Sequence, residues 1–310
     1  MATDFHQLID RNRRNSVILL VVFVLFVAVF AGVIGASLGG NLAHAMFVGA
    51  IAMGLSLLVT VAGYYGGTGL VLAVSGAHEI SHDDDPQLFN VVEEMSIAGG
   101  LPMPKVYLIN DSAPNAFATG RDPAHGVIAI TAGLRDKLTR DELQGVIAHE
   151  MSHIRNHDIR YAMLVAVLVG TVVMLCDFFL RWSWRVGRSS SDSKGKGAAV
   201  AVVLMIVGLV LAIIAPILAK LIQMAVSRQR EYLADASAVE LTRYPQGLAS
   251  ALAKIAADPD PLEVANRGTQ HLYIVNPLRK QGDWTSGLMA THPPIQERVD
   301  RLLALAHEYP

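Results

Sequence analysis

His149-Glu150-Met151-Ser152-His153 carries two imidazoles four positions apart, with a carboxylate beside the first. On a helix, residues i and i+4 project from one face, so the two rings can hold one metal ion. Zinc suits two imidazoles plus a carboxylate and leaves one position for water or substrate. The ion lowers the pKa of that water to around 7 and polarises a carbonyl, and Glu150 stands where it can take the proton. The expected chemistry is peptide-bond hydrolysis by an activated water. The non-enzymatic alternative is a membrane-embedded, zinc-dependent scaffold. Glu150 argues against it, because a structural site needs no base beside its ligands.

The pattern is short, and the chain contains it twice. His78-Glu79-Ile80-Ser81-His82 also fits. That copy directly follows an apolar stretch and runs into Asp83-Asp84-Asp85-Pro86, with no apolar periodicity and no N-cap, so it reads as a surface linker. The second copy lies behind Thr139-Arg140-Asp141-Glu142, which has the form of a capping box. Leu143, Val146, Ile147 and Ile154 give its helix an apolar side. A third protein ligand is needed. His157 would lie roughly 12 Å along a straight helix from His149, too far for three rings to share one ion, and reads as an exposed histidine. Glu231 is the better candidate, with Asp235 at i+4 placed to orient a ligand imidazole through its other N–H. Taken alone, the stretch from Arg228 to Asp235 also reads as an ordinary charged helix face.

The elements that must hold these groups sit in an apolar chain. Of 310 residues, 52% are hydrophobic and 17% charged, with mean hydropathy +0.40, against about 25% charged in a typical soluble protein. A net charge of −2 without a basic, aromatic-studded face excludes nucleic acid as a partner. Cys176 is the single cysteine, so neither an internal disulfide nor a cysteine zinc cluster is available. No charge occurs from Ser16 to Ala77. Val17 to Ser37 and Ala45 to Val74 are each long enough to span a bilayer, the second with a break expected at Gly66-Gly67-Thr68-Gly69. Tyr161 to Leu180 and Ala198 to Ala219 are further candidates. Arg11, Arg13, Arg14, Arg155, Arg160, Lys220, Arg228 and Arg230 place eight cations on one side, against five (Arg181, Arg185, Arg188, Lys194 and Lys196) on the other. The first side is thus assigned to the cytoplasm. A transporter would want ionisable residues inside its spans, and these hold almost none beyond Asp177.

The chain divides into an N-terminal anchor (1–77), a first catalytic part (78–160), a hydrophobic helical hairpin (161–219) and a second catalytic part (220–310). In the first catalytic part, Pro86 to Gly99 reads as a helix, with Leu88, Val91, Val92 and Met95 on one face. Lys105 to Ile109, Ala116 to Ala118 and Val127 to Thr131 read as strands, the last two separated by a turn around Gly120 to Gly126. Leu218 to Thr242 reads as one long helix. The whole is an α+β catalytic domain with transmembrane helices. With Glu231 as the third ligand, His153 and Glu231 have to meet, and the hairpin then crosses the membrane an even number of times. Tyr161 begins the third apolar segment eight positions after His153.

The motif from His149 to His153, followed by Asn156 and Asp158, with Glu231 and Asp235 downstream, resembles the HtpX-type membrane zinc metalloproteases, relatives of the CAAX prenyl endopeptidases. Asn115-Ala116-Phe117-Ala118-Thr119-Gly120 and His292-Pro293-Pro294 with Glu297-Arg298 extend the resemblance over nearly the whole chain. It implies a zincin-like fold, one zinc ion held by His149, His153 and Glu231, and Glu150 as the general base. It also implies a cytoplasm-facing domain in the bacterial inner membrane, acting on damaged membrane proteins or unfolded polypeptides in quality control under stress. Asn115, Ala116 and Phe117 then belong to an exposed edge strand that pairs with an extended substrate, although a plain core strand is the competing reading. His292 would donate to the oxyanion, and Arg298 would clamp Asp235 or Glu231. The extra His78 motif and the cationic loop from Arg181 to Lys196 depart from the family pattern.

Overall fold

The computed structural model describes residues 5–39, 41–168, 170–172, 228–264, 269–275 and 293–306. They form two compact units, one drawn from 1–13, 66–166 and 222–310, the other from 14–65 and 167–221.

The second unit takes residues 14–39 of helix Phe5–Gly39 and residues 42–65 of helix Leu42–Val74, while the two ends, 5–13 and 66–74, belong to the first unit; both helices are long and apolar enough to cross a membrane. Asn41 joins them, its side chain accepting from the His44 N–H at 2.7 Å to cap the second helix. Small residues let the pair approach closely: a Cβ on Gly35 would lie 2.8 Å from Val48, and one on Gly49 3.1 Å from the Ala28 carbonyl. The break expected at Gly66-Gly67-Thr68-Gly69 does not occur, and the helix runs unbroken to Val74. An apolar helix has no water to take over its backbone groups, so keeping its own hydrogen bonds outweighs the glycine propensity penalty.

The first unit contains a mixed four-stranded sheet ordered β1-β2-β4-β3, made from β1 (Ala77–Glu79), β2 (Lys105–Ile109), β3 (Ala116–Thr119) and β4 (Val127–Thr131). β2 and β4 run parallel, and the outer pairs are antiparallel. The three strands expected from sequence are present. β1 corrects the linker reading of His78-Glu79-Ile80-Ser81-His82: its first residues are an edge strand in register with β2, Glu79 opposite Tyr107. Their pairing partners are about thirty residues away, so no local signal marks them.

Helix Pro86–Gly99 is capped by Asp85, which accepts from the Leu88 N–H, and ends at left-handed Gly100. Leu88, Val91, Val92 and Met95 are buried as their spacing predicts. The HExxH helix is Arg140–Arg155, and both halves of its capping box are made: Thr139 accepts from Glu142 N–H, and Glu142 accepts from Thr139 N–H. Leu143, Val146, Ile147 and Ile154 are all buried in the core. Helix Pro245–Ala257 crosses it almost backbone to backbone. A Cβ on Gly145 would meet Leu248 N at 2.7 Å, and one on Gly247 would meet the Asp141 carbonyl at 2.7 Å, so both positions require glycine. Lys254 of that helix reaches the Glu142 carboxylate at 2.7 Å, so the capping residue also fastens the crossing. Helices Arg228–Thr242 and Ile295–Leu305 complete the packing.

Residues 161–168 and 170–172 are helical. The remainder of the hairpin, the cationic loop, residues 218–227 of the long helix and His292 lie outside the described residues.

Candidate metal centre

Helix periodicity places His149 and His153 on one face, and helix Arg228–Thr242 lays Glu231 across from them. His149 Nε2 and His153 Nε2 are 3.3 Å apart. Each lies 3.7 Å from a different Glu231 oxygen. Ligand bonds of about 2.0–2.2 Å arranged tetrahedrally give ligand–ligand edges of about 3.3–3.6 Å, so the observed spacings fit one zinc-sized ion. These three are the group among the described residues whose ligand atoms all lie within 4.8 Å of one another.

Both imidazoles are held from behind. His149 Nδ1 is 3.0 Å from an Asp235 oxygen, and His153 Nδ1 is 3.0 Å from an Asp158 oxygen. A carboxylate on Nδ1–H fixes the tautomer that leaves the Nε2 lone pair facing the site. Burial pushes the His149 pKa down, which favours the neutral ring a ligand needs. Burial also opposes charge on His153, but Asp158 and Glu231 outweigh it and raise that pKa to about 9, so a metal ion must displace a proton there. Arg298, fully buried, holds Asp235 through two hydrogen bonds of 2.9 and 2.7 Å and lies 3.6 Å from Glu231. Burial works against the Asp235 charge, and Arg298 with His149 outweighs it, keeping the carboxyl below its usual range.

Glu150 is only 2% exposed, and burial pushes its pKa up to about 7. The backbone N–H of Ala118 on β3 hydrogen-bonds its carboxylate. A carboxyl poised near neutrality suits both taking and returning a proton. Beside it lies a cavity of about 40 Å³, room for a few waters, lined by Ala118, His153, His271 and Tyr273 among others.

β3 is an edge strand, but it is not exposed: all four of its residues are buried. Ile274 N–H donates to the Ala116 carbonyl at 2.9 Å. The Asn115 side-chain amide donates through Nδ2 to the Val275 carbonyl at 2.9 Å and accepts at Oδ1 from Val275 N–H at 3.4 Å. Phe117 packs edge-on against Tyr273, with ring centroids 5.1 Å apart. The expected open edge thus carries residues 273–275 of the same chain. His157 is half-buried rather than exposed. The helix ends at Arg155, and His157 takes a left-handed φ of 58°, which removes it from the line of His149 and His153.

Residues 81–306 match peptidase family M48. The chain is 44% identical over 308 residues to a protease HtpX homolog of Dictyoglomus turgidum, covering 98% of this chain and 96% of that protein. It belongs to peptidase family M48. A protease HtpX homolog of Ligilactobacillus salivarius is 40% identical over 297 residues, 96% of this chain and 98% of the relative. The solved structure of S. mikatae Ste24p aligns over 80% of this chain and 56% of its own, with TM-score 0.47 and 20% identity. The chain is therefore an M48 metalloprotease with an α+β peptidase fold and two helices apt for a membrane. Sequence reasoning had no local signal for the partnership of Asp158 with His153: Asp158 stands five positions on, beyond the helix end, where i+4 logic no longer applies. Arg230 also escaped it; its guanidinium lies 3.5 Å from Asp158, one residue before Glu231.

Proposed function

We propose that this M48 metalloprotease is a zinc-dependent endopeptidase that cuts membrane proteins or unfolded polypeptides as part of quality control under stress. His149, His153 and Glu231 would hold the ion, which when bound activates water and polarises the scissile carbonyl. Glu150 accepts the proton of the attacking water and returns it to the leaving amine. Asp158 and Asp235 keep the two imidazoles aimed, and Arg298 keeps Asp235 ionised in the interior. An extended substrate would add to β3 near Asn115, Ala116 and Phe117 by displacing Ile274 from the Ala116 carbonyl, and His292 would donate to the oxyanion. The observation carrying this reading is the convergence of two carboxylate-backed Nε2 atoms and one carboxylate within 3.3–3.7 Å, with Glu150 beside them.

Chain connectivity supports the substrate class. The HExxH helix is followed after a few residues by an apolar segment, and Arg228 lies shortly after another. Polypeptides already anchored in the same bilayer reach such a site at high local concentration. The bacterial inner membrane, with the catalytic unit in the cytoplasm, fits the eight cations counted above.

Metal analysis and digestion of casein and of a misfolded membrane protein, comparing the parent with Glu150→Gln, test the reaction. The variant should keep its zinc and lose hydrolysis, and retained hydrolysis in a metal-replete variant would sink the mechanism. Orientation is read with Asp136→Cys in a Cys176→Ala background, since Asp136 is exposed. Labelling by an impermeant maleimide added outside intact spheroplasts would overturn the cytoplasmic placement.

A further inference from the structure

Asn12 lies far from the HExxH helix in sequence, on the N-terminal helix Phe5–Gly39, yet it is only 3% exposed. Its side-chain N–H₂ donates to Asp158 Oδ1 at 2.6 Å and to the Asn156 carbonyl at 3.0 Å. Its carbonyl oxygen accepts from the Arg230 guanidinium at 3.1 Å. Two donors and one acceptor are thus matched to two acceptors and one donor. Turning the amide over would set oxygen against oxygen twice and nitrogen against guanidinium once, so the partners dictate its orientation. Aspartate would bring a second negative charge against Asp158, and alanine would leave Asp158 Oδ1 and the Asn156 carbonyl short of a buried donor.

These partners are not arbitrary. Asp158 spends its other oxygen on His153 Nδ1. Arg230 is covalently next to Glu231 and itself lies 3.5 Å from Asp158. Asn156 caps the C-terminus of the HExxH helix. One amide therefore ties together the residue behind one imidazole, the end of the helix that carries both imidazoles, and the neighbour of the carboxylate from the opposite helix.

We propose that Asn12 is a positioning residue of the metal centre, acting through Asp158 on the His153 imidazole and through Arg230 on the placement of Glu231. The turn of helix that precedes the first apolar span is on this view part of the metalloprotease's catalytic apparatus rather than only a lead-in to an anchor. A group holding a ligand's carboxylate partner acts on how firmly the ion is held. The proposal rests on His149, His153 and Glu231 being the ligands.

The test uses the full-length protein in detergent micelles, with zinc affinity read by chelator competition and kcat and KM read on casein. Asn12→Ala and Asn12→Asp should each weaken zinc binding by about tenfold, the low end for groups that orient a ligand, with aspartate the worse of the two. kcat at saturating zinc should fall while KM stays near the parent value. Asp158→Asn should lower zinc affinity as well, and adding Asn12→Ala to it should cost less than the sum of the two, because they share the route through Asp158. Asp10→Asn, an exposed change close by on the same helix, should match the parent. Parent-like zinc affinity in Asn12→Ala, or full additivity with Asp158→Asn, would overturn the proposal. An Asn12→Ala protein that does not fold shifts the decision to the Asn12→Ser variant, for which the same two results count against it. His153→Ala separates the underlying assignment: if it keeps parent zinc affinity, the ligand set is wrong, whereas its loss of zinc beside an unaffected Asn12→Ala sinks only the role of Asn12.

Discussion

In His78-Glu79-Ile80-Ser81-His82 the backbone starts as strand β1, while the same pattern from His149 to His153 sits inside a 16-residue helix. Four residues of extended chain span roughly 13 Å, against about 5–6 Å between helical neighbours at i and i+4. The surroundings differ as much as the spacing. Glu79 is at the surface, its oxygens held by Lys105 at 2.9 Å and Tyr107 at 3.0 Å, with Lys105 first among the causes that keep its carboxyl below the usual range. Glu150 is buried, and burial drives its pKa the opposite way. His82 meets Asn90 across an exposed turn, whereas His149 is buried against Asp235. The motif becomes a candidate metal centre only where a capped helix supplies the spacing and a second helix supplies the carboxylates.

The sharpest way to break this contrast is to remove ligands from each copy. His149→Ala or Glu231→Ala should reduce bound zinc to background by elemental analysis, while His78→Ala combined with His82→Ala should keep about one ion per chain. Metal loss from the latter pair would reverse the assignment. Next in size is the matched pair of carboxylates. Glu150→Gln should lower hydrolysis at least ~10²-fold with zinc retained, and Glu79→Gln should stay within about twofold, as for most surface changes.

Two smaller effects concern the cap that the first copy lacks. Burial opposes the charge of Glu142, but Lys254, Ser250 and the Thr139 N–H outweigh it and hold its pKa below the usual carboxylate value. A depressed folded-state pKa contributes stability above the unfolded value that is lost as pH falls through the folded one. Glu142→Gln should therefore cost roughly 1–3 kcal/mol near pH 7, as expected for hydrogen bonds to a charged group. The gap to the parent should close as acidification carries the pH below the usual carboxylate range and through the folded-state pKa of Glu142, measured by chemical denaturation, and a gap that persists in acid would contradict the electrostatic account. Thr139→Ala should cost about 1 kcal/mol at any pH, the ordinary loss of an N-cap.

Much of this contrast was legible in the residues themselves. The Thr139–Glu142 capping box, the apolar face of Leu143, Val146, Ile147 and Ile154, and the pairing of Glu231 with Asp235 are local regularities, and each is present. β1 was not legible, because three residues become a strand only by finding β2. The approach of Asp158 to His153 was hidden by the left-handed turn at His157, which redirects the chain after the helix. Arg298 was visible only through family resemblance, since nothing in Glu297-Arg298 announces a buried guanidinium. Asn12 reads as one polar residue among the arginines before an apolar run, and its role exists only in three dimensions.

If substrates pair with β3 as proposed, the contact it already makes bears on which peptides are cut. The Ala116 carbonyl is already taken by Ile274 N–H and the Asn115 side chain by Val275, so an extended peptide pairing there would compete with a backbone partner supplied by the same chain. The internal partner is present at an effective concentration fixed by its tether, whatever the dilution of the enzyme. Apparent affinity for the incoming chain then falls by the fraction of time the edge is vacant. On the proposed reading, dilute, freely diffusing peptides would lose that contest, and a polypeptide held beside the enzyme by its own membrane anchor would not.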